Sequence, residues 1–331
     1  MPTVSTVPTE SPKPCSGSVM TVIPVYNGEP YLEDTLRSLA TQTHPPERLI
    51  IIDDGSTDKT EELVRSFQDL PCEWHPNANN LGLFPNLNQA LTWASQTDYF
   101  HLMLADDRVE PDFLESSLAT LIDEPVHSFS WCDTQWIDAS GKQLPPLQSD
   151  HPVAGRLFDK RQFMKRECEL QTISVGSVLI KTQQKPLACR FRTDMPQVAD
   201  CVFFGELASV APRIKHIPRP LCQIRTHAFN MTHRNIRNLD AWVRDEWRAM
   251  NLIASLMDES PWRRWVRKQK LKALFAARCR VKEQWMSQED PSYAQAIYQA
   301  SLEAAGRCHH ILGRAAVQIR DCLKGPRLRQ S

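Results

Sequence analysis

Two pairs of adjacent carboxylates, each directly after an apolar run, are the residues of this sequence best suited to chemistry. They are Asp53-Asp54 and Asp106-Asp107. Adjacent carboxylates concentrate negative charge, which hydrogen-bond donors or a cation must offset. A carboxylate can accept hydrogen bonds from the N–H and hydroxyl groups of a nucleoside, and Mg²⁺ or Mn²⁺ binds one or two carboxylates together with phosphate oxygens. The alternatives are a helix cap for the first pair and a solvated turn for the second.

The elements around these pairs alternate between strand and helix. Short apolar runs predict strands at Val19–Val25, Leu49–Ile52 and Tyr99–Leu104. Helices are expected from Tyr31, after a cap at Ser56 or Thr57, over Asn86–Ala94 and from Pro111. This alternation predicts a parallel α/β sheet, in which ligands bind beyond the carboxyl ends of the strands. The loops expected at that edge are Tyr26–Glu29, Asp53–Ser56 and Asp106–Asp107.

The second half of the chain is patterned differently. Strands are expected at Phe129–Trp136 and Ile173–Ile180, and from Asn238 onward the apolar residues keep a helical spacing. The sequence thus predicts a disordered leader rich in Pro, Ser and Thr at 1–17, an α/β domain at 18–235 and a basic helical extension at 236–331. No apolar run approaches the roughly 20 residues that a membrane span needs.

The net charge of zero conceals an uneven distribution. Residues 1–259 contain 24 Lys and Arg against 34 Asp and Glu, whereas residues 260–331 contain 15 against 5. Nine of the basic residues lie in Arg263–Lys282, with Trp262 and Trp265 close by. A helix of this kind can contact a membrane surface, bind nucleic acid or dock on the acidic part of its own chain. No nucleic-acid partner is expected, and peripheral membrane contact through the extension is retained as an option.

The cysteines bear on the cellular compartment. None of the ten forms a C-x-x-C pair, which argues against a zinc site or a thioredoxin-like motif. The first residues carry no apolar segment of the kind found in secretory signals. The expected location is cytoplasmic with reduced cysteines, at the inner face of the membrane if the basic helices bind lipid.

Four segments resemble the motifs of the family 2 glycosyltransferases. They are Val22–Gly28, Ile51–Asp58, Asn80–Gly82 with Asn88, and Leu104–Asp107. They occur in the family's order and at its spacing, over roughly residues 18–120. The resemblance implies that residues 18–235 form a GT-A-like fold, a mixed and mainly parallel sheet flanked by helices, which binds a nucleotide-diphosphate sugar.

The resemblance also implies roles for individual residues. Tyr26 would lie against the nucleotide base, and Asp54 would accept a hydrogen bond from it. The full set for the nucleotide sugar is Pro24, Tyr26, Asn27, Asp53, Asp54, Asn88, Asp106 and Arg225. The implied ligands of a divalent metal ion, Mg²⁺ or Mn²⁺, are Asp106, Asp107 and His227. The family often has a further acid in the last motif, where this chain has Leu104.

Asp200 is the implied catalytic base, although the family usually has Glu-Asp there and this chain has Ala199 before it. A helix cap is the alternative explanation for Asp200. The implied reaction is metal-dependent, inverting single displacement onto a hydroxyl of a saccharide or lipid-linked acceptor, as in polysaccharide biosynthesis. A sugar-phosphate nucleotidyltransferase is an alternative, but the loop after the first strand has one glycine and no basic residue. The other alternative is a degenerate transferase that binds membranes through the basic helices.

Overall fold

The computed structural model describes residues 17–145, 157–227 and 236–324, so most of the predicted leader lies outside the described residues. The strands are β1 (Val19–Val25), β2 (Arg48–Asp53), β3 (Cys72–Pro76), β4 (Tyr99–Leu102), β5 (Arg108–Val109), β6 (Phe129–Ile137), β7 (Leu157–Phe158), β8 (Val178–Lys181) and β9 (Ile214–Arg225). The helices are α1 (Leu32–Ala40), α2 (Thr60–Ser66), α3 (Leu83–Ala90), α4 (Phe113–Leu121), α5 (Lys160–Cys168), α6 (Ala199–Val210), α7 (Asp245–Ser255), α8 (Pro261–Met286), α9 (Pro291–Ala305) and α10 (Arg307–Lys324).

The described strands form one mixed sheet in the order β3-β2-β1-β4-β8-β6-β9-β5, with β7 paired to β9. The chain builds outward from β1 through β2 to β3 and then returns to place β4 on the other side of β1, all in parallel. The carboxyl ends of β1 and β4 therefore flank a topological switch point, where such sheets bind ligands. Strand β8 pairs antiparallel with β4 and β6, which makes the sheet mixed.

The strand predictions are confirmed at β1, β2, β4 and β6, because these segments are apolar enough to be recognised. Strand β1 alternates its buried residues between two core clusters, with Met20 and Val22 on one face and Val19 and Ile23 on the other. Burial on both faces explains why β1 is apolar except for Thr21. Strand β3 was not predicted, since its sequence Cys-Glu-Trp-His-Pro is polar and it lies at the sheet edge, only partly buried.

The C-terminal helices share the core of the sheet. Ile253 of α7, Phe275 of α8 and Ile297 of α9 belong to the same buried cluster as Val22 of β1. Gly205 allows α6 and α7 to approach closely, because a Cβ there would lie 2.9 Å from Ile253 Cγ1. In the parts of the chain that the structure describes, no helix is both long and apolar enough to traverse a lipid bilayer.

A buried ion cluster joins α7 to α8. Glu246, whose side chain is 6% exposed, accepts a bond from Arg278 at 2.8 Å and lies 2.9 Å from Lys282 Nζ. We expect Glu246→Gln to lower the free energy of unfolding by about 3 kcal/mol, because it leaves buried cations without a counter-charge. Urea denaturation measures this. The exposed Glu289→Gln is the control, since Glu289 only approaches Arg237 at 3.9 Å and should show no change. Equal stability of the two variants would contradict this account of the cluster.

Candidate active site

The loop after β1 is tied to the loop after β2. Asn27 N donates to Ser56 Oγ at 2.8 Å, and Asn27 Oδ1 accepts from Thr57 N at 2.9 Å. Gly28 N donates to Thr60 Oγ1 at 2.8 Å. Asn27 has a φ of 51°, a left-handed conformation in which asparagine is enriched. These bonds bring two of the three predicted loops together, and they engage the side chain of Asn27 in the protein itself.

Pro24 and Tyr26, near the carboxyl end of β1, differ in their exposure to solvent. Pro24 is buried within β1 opposite Ile52, so it shapes the strand. Tyr26, immediately after β1, is 53% exposed. No hydrogen bond or ring contact engages its ring within the described part of the chain. An exposed aromatic ring at the carboxyl edge can stack against a planar ligand.

Asp53 closes the turn that follows β2. Its Oδ1 accepts from the Ser56 hydroxyl at 2.5 Å and from the Ser56 backbone N–H at 3.1 Å. Ser56 is therefore part of this turn. Helix α2 begins later than expected, at Thr60. The Thr60 backbone N–H donates to Asp58 Oδ1 at 3.1 Å. The expected cap at Ser56 or Thr57 is wrong, because Lys59 occupies the cap position and the Asp58 side chain accepts the first N–H of the helix.

Asp54 organises the loop that follows β3. Its Oδ1 accepts from Leu81 N at 2.8 Å and from Asn77 Nδ2 at 2.9 Å, and its Oδ2 accepts from Gly82 N at 2.8 Å. The residue is 2% exposed. The contacts that the structure gives Asp54 are thus all to the protein's own loop, while its implied bond to a base remains a prediction.

The substitution Asp54→Asn distinguishes support of the loop after β3 from a direct contact of Asp54 with a nucleotide base. An amide replaces one acceptor oxygen by a donor that faces backbone N–H groups, so we expect a loss of about 2–3 kcal/mol in unfolding free energy. Urea denaturation gives the value, with the exposed Asp69→Asn as control. A variant of unchanged stability but weakened nucleotide binding would instead favour the direct contact with a base.

Asp106 and His227 meet beside α1. Asp106 Oδ2 lies 3.0 Å from His227 Nε2, and the Asp106 side chain is 30% exposed. The His227 ring lies against Tyr31, with ring centroids 4.8 Å apart. Sequence reasoning left open which of the two adjacent aspartates faces a ligand. The exposed fraction identifies Asp106 as the one that solvent can reach.

Asp107 is buried, with 1% exposure. Its Oδ1 accepts from Arg225 N at 2.9 Å, whereas its Oδ2 has no hydrogen-bond partner among the described residues. Burial, together with the charge of Asp106, raises the pKa of Asp107 well above its usual value, and Arg225 acts in the opposite direction. A buried carboxylate oxygen without a partner is a group that a bound cation would satisfy.

The Arg225 side chain is engaged within the protein, and its implied place in the nucleotide-sugar set remains a prediction. The residue is 1% exposed, and its guanidinium donates to the backbone oxygens of Asp106 and Ala139 and to Asp34 Oδ2. It also lies over the Tyr31 ring, 4.8 Å from the centroid. Arg225 therefore holds the loop of Asp106 in place from inside the protein.

Asn88 also serves the protein's own backbone. Its Nδ2 donates to Phe191 O at 2.9 Å, and its Oδ1 accepts from Phe191 N at 2.8 Å. This reciprocal pair fixes the segment that leads to α6. Both polar atoms of the Asn88 amide thus bond to the protein, and its place in the nucleotide-sugar set remains a prediction.

Asp200 lies in the first turn of α6, partly exposed. Its Oδ1 accepts from Cys201 N at 2.8 Å, so it does also satisfy a helix N-terminus. Burial raises the pKa of Asp200 to about 6, against the opposing effect of that N–H. Such a carboxylate is ionised at neutral pH and has a pKa near the range that suits a general base.

Glu167 of α5 is a second acid in this region that the sequence did not indicate. It is fully buried, and neither carboxyl oxygen has a hydrogen-bond partner in the described structure. Burial and the charge of Asp200 raise the pKa of Glu167 well above its usual value. Both effects favour the neutral form of the Glu167 carboxyl group. Only its position on the buried face of an otherwise basic helix could have signalled it.

The turn Val175–Ser177 connects the two regions. A Cβ at Gly176 would lie 3.8 Å from Asp107 Oδ2. Val175 lines a small apolar cavity together with Phe203 and Phe204 of α6. The turn Val175–Ser177 thus lies against both α6 and the loop that carries Asp106 and Asp107.

Sequence reasoning also missed supporting residues on α1. Thr35 Oγ1 donates to Asp107 O at 2.7 Å and to Ala105 O at 3.0 Å. Asp34 pairs with Arg108 and Arg225. In the sequence Asp34 is an ordinary acid in the first turn of a helix, because its partners lie far along the chain.

The donor set at this edge fits a divalent cation that also binds a ligand. Asp106 and Asp107 offer carboxylate oxygens, which suit Mg²⁺ or Mn²⁺, and His227 adds an imidazole nitrogen. The described residues contain no group of three or more ligands arranged to enclose a metal by themselves. An ion here would complete its coordination with phosphate oxygens and water.

Solved structures share this fold. TarS of S. aureus, crystallised with UDP-GlcNAc, superposes with a TM-score of 0.61 at 19% identity, covering 94% of this chain and 93% of that one. A mannosyltransferase of Pyrobaculum calidifontis, solved with GDP-Man and Mn²⁺, gives a TM-score of 0.54 at 17% identity, covering 96% and 91%. The fold is therefore the GT-A-like α/β fold that the sequence predicted.

Sequence comparison identifies the family. Residues 20–181 match the glycosyl transferase family 2 model. The glycosyltransferase EpsH of Bacillus subtilis is 30% identical over 229 residues, or 67% of this chain and 64% of EpsH. TuaG of the same organism, described as a teichuronic acid biosynthesis glycosyltransferase, is 33% identical over 107 residues, or 32% and 42%. The chain thus covers less than two thirds of the length of these relatives, and its match to glycosyl transferase family 2 lies in residues 20–181.

Proposed function

We propose that this protein transfers a sugar from a nucleotide-diphosphate sugar to an acceptor hydroxyl. The observation that carries the proposal is the meeting of loops at the switch point of the parallel sheet. There the exposed Tyr26, the Asp54 loop and the accessible Asp106 occupy the carboxyl edge. An aromatic ring can stack on a nucleotide base, and a carboxylate beside a histidine can hold a cation together with phosphate oxygens.

The donor class follows the family and the ligands bound in the similar structures. TarS was solved with UDP-GlcNAc and the Pyrobaculum mannosyltransferase with GDP-Man and Mn²⁺. We infer a nucleoside-diphosphate sugar for this chain as well. Asp106 and His227 would hold the metal ion with the diphosphate, and Asp107 would complete the set through its unpartnered oxygen. When bound, the ion supplies positive charge where the departing diphosphate becomes more negative.

The proposed reaction is a single displacement with inversion at the anomeric carbon. The Asp200 carboxylate accepts the proton of the acceptor hydroxyl as that oxygen attacks the sugar. Ionisation of Asp200 above its pKa of about 6 keeps it able to do so at neutral pH. The acceptor proposed is a hydroxyl of a saccharide or of a lipid-linked saccharide.

Release of nucleoside diphosphate tests the proposal. The full chain is incubated with UDP-, GDP- and dTDP-sugars and Mn²⁺, with and without a mixture of saccharide acceptors. We expect one nucleotide class to be released, faster with acceptor, and Asp106→Asn to release little. Absence of release from every donor, together with absence of nucleotide binding, would contradict the proposal.

A further inference from the structure

The first two turns of α8 project from the protein with their aromatic residues exposed. Residues 261–266 are all exposed, and Trp262, Trp265 and Val266 are 67%, 54% and 44% accessible. The two indole rings stack on each other, with centroids 5.0 Å apart and an angle of 17° between the planes. Large apolar side chains grouped in this way on a surface mark a contact site.

The aromatic pair lies on the side of α8 that faces away from the core. Farther along the helix, the buried side chains include Leu271 and Phe275. At 3.6 residues per turn, Trp262 points roughly 180° away from Leu271, and Trp265 roughly 120° away. The helix therefore uses one face to pack against the protein and leaves the aromatic face to another partner.

The same stretch is strongly basic. Six of the residues 262–272 are Arg or Lys and none is acidic. Some of these cations are engaged by the protein, since Arg267 pairs with Glu259 and Lys270 with Glu169 at 2.9 Å. Arg263 and Lys268 are exposed and have no carboxylate partner in the described structure. The aromatic pair thus lies among cations that are available to an external anion.

We propose that Trp262, Trp265 and Val266, with Arg263 and Lys268, form a docking element for an anionic lipid surface. Tryptophan prefers the boundary between headgroups and acyl chains, because its ring is apolar and its N–H is polar. Nearby Lys and Arg gain attraction from anionic headgroups. A projecting helix end can insert these rings while the rest of the protein stays in water. This inference is independent of the proposed transfer reaction.

Other occupants fit the element less well. Residues 1–259 carry ten more acidic than basic residues, which disfavours wrapping of a long nucleic acid around the protein. Single strands of nucleic acid are bound in grooves by separated stacking rings, whereas this element is a convex helix end with rings stacked on each other. A contact area limited to the end of one helix fits a flat partner such as a lipid surface.

Co-sedimentation of the full chain with vesicles tests the proposal. We expect binding to phosphatidylcholine vesicles that contain phosphatidylglycerol, and little binding to phosphatidylcholine alone. Trp262→Ser/Trp265→Ser should lower the partition coefficient by roughly tenfold or more, because two apolar rings no longer insert. Arg263→Gln/Lys268→Gln should lower it about fivefold for each cation removed, with weaker binding at higher salt.

Trp285→Ser is the matched control, since Trp285 is on the same helix with the same 54% exposure but contacts Trp242. It should bind vesicles as the unchanged chain does. Thermal denaturation of every variant detects loss of fold, and nucleotide release from the unchanged chain tests the transferase proposal separately. Absence of binding to anionic vesicles, or equal binding by the double tryptophan variant, would overturn the proposal. Retention on an RNA oligonucleotide without vesicle binding would overturn it in favour of nucleic acid.

Discussion

Replacement of Asp200 by asparagine is expected to lower the transfer rate by about 10²–10⁴-fold and to leave nucleotide binding unchanged. Asparagine keeps the shape and the acceptor for Cys201 N but cannot take the acceptor's proton. The position of Asp200 in the first turn of α6, with its pKa raised to about 6 by burial, makes it suited to this role. Steady-state rates of nucleoside diphosphate release, with nucleotide affinity measured separately, give both quantities.

The pH profile supplies a second test of Asp200. Because only the ionised carboxylate acts as a base, the rate should rise with pH through about 6 and then level off. Glu167→Gln is the matched control, since burial favours the neutral form of the Glu167 carboxyl group and glutamine copies that form. That variant should keep both the rate and the profile. Full turnover in Asp200→Asn, or an unchanged acid limb in its profile, would show that another group is the base.

Replacement of Asp106 by asparagine is expected to remove metal-dependent nucleotide binding and to lower kcat/KM on the order of 10²–10³-fold. A metal ion at the diphosphate contributes several kcal/mol to the stabilisation of developing charge. Asp106 is the accessible aspartate of the pair and faces His227 at 3.0 Å. Titration of nucleotide with and without Mn²⁺, followed by calorimetry, measures the loss.

The neighbouring aspartate provides the comparison. Asp107 is buried and accepts the backbone N–H of Arg225, so Asp107→Asn should also lower the free energy of unfolding. Asp106→Asn should leave the unfolding transition of the free protein close to that of the unchanged chain. Normal Mn²⁺-dependent affinity in Asp106→Asn would contradict the assignment of Asp106 as a metal ligand.

The sequence predicted the fold well where burial leaves a pattern. Strands β1 and β2 are buried on both faces, so their apolar runs were visible, whereas the half-buried edge strand β3 was not. The end of β4 was placed too late, because Met103 and Leu104 are apolar although they lie in the turn after it. The division at residue 235 remains a prediction, and the structure shows the later helices sharing the core of the sheet.

The candidate site was predictable in its location and less so in its details. Motif order placed Asp54 and Asp106 at one edge of the sheet, as the strand topology requires. It did not reveal that the side chains of Asp54 and Arg225 form hydrogen bonds with the protein itself. Residue type indicates which bonds a side chain can make, but the partners come from loops far away in the chain. For the same reason Asp34 was not predicted, whereas Glu167 was missed because the sequence does not show which face of α5 is buried.

The most direct test of the central claim is thermal denaturation of the full chain with UDP, GDP, dTDP and CMP, each with and without Mn²⁺. A ligand at about 100 times its dissociation constant stabilises the fold by roughly 2.7 kcal/mol, which raises the Tm visibly. We predict a rise with one diphosphate nucleotide that depends on Mn²⁺ and disappears in Asp106→Asn. No rise with any nucleotide, in the presence of the metal ion, would contradict a nucleotide-sugar site at this edge of the sheet.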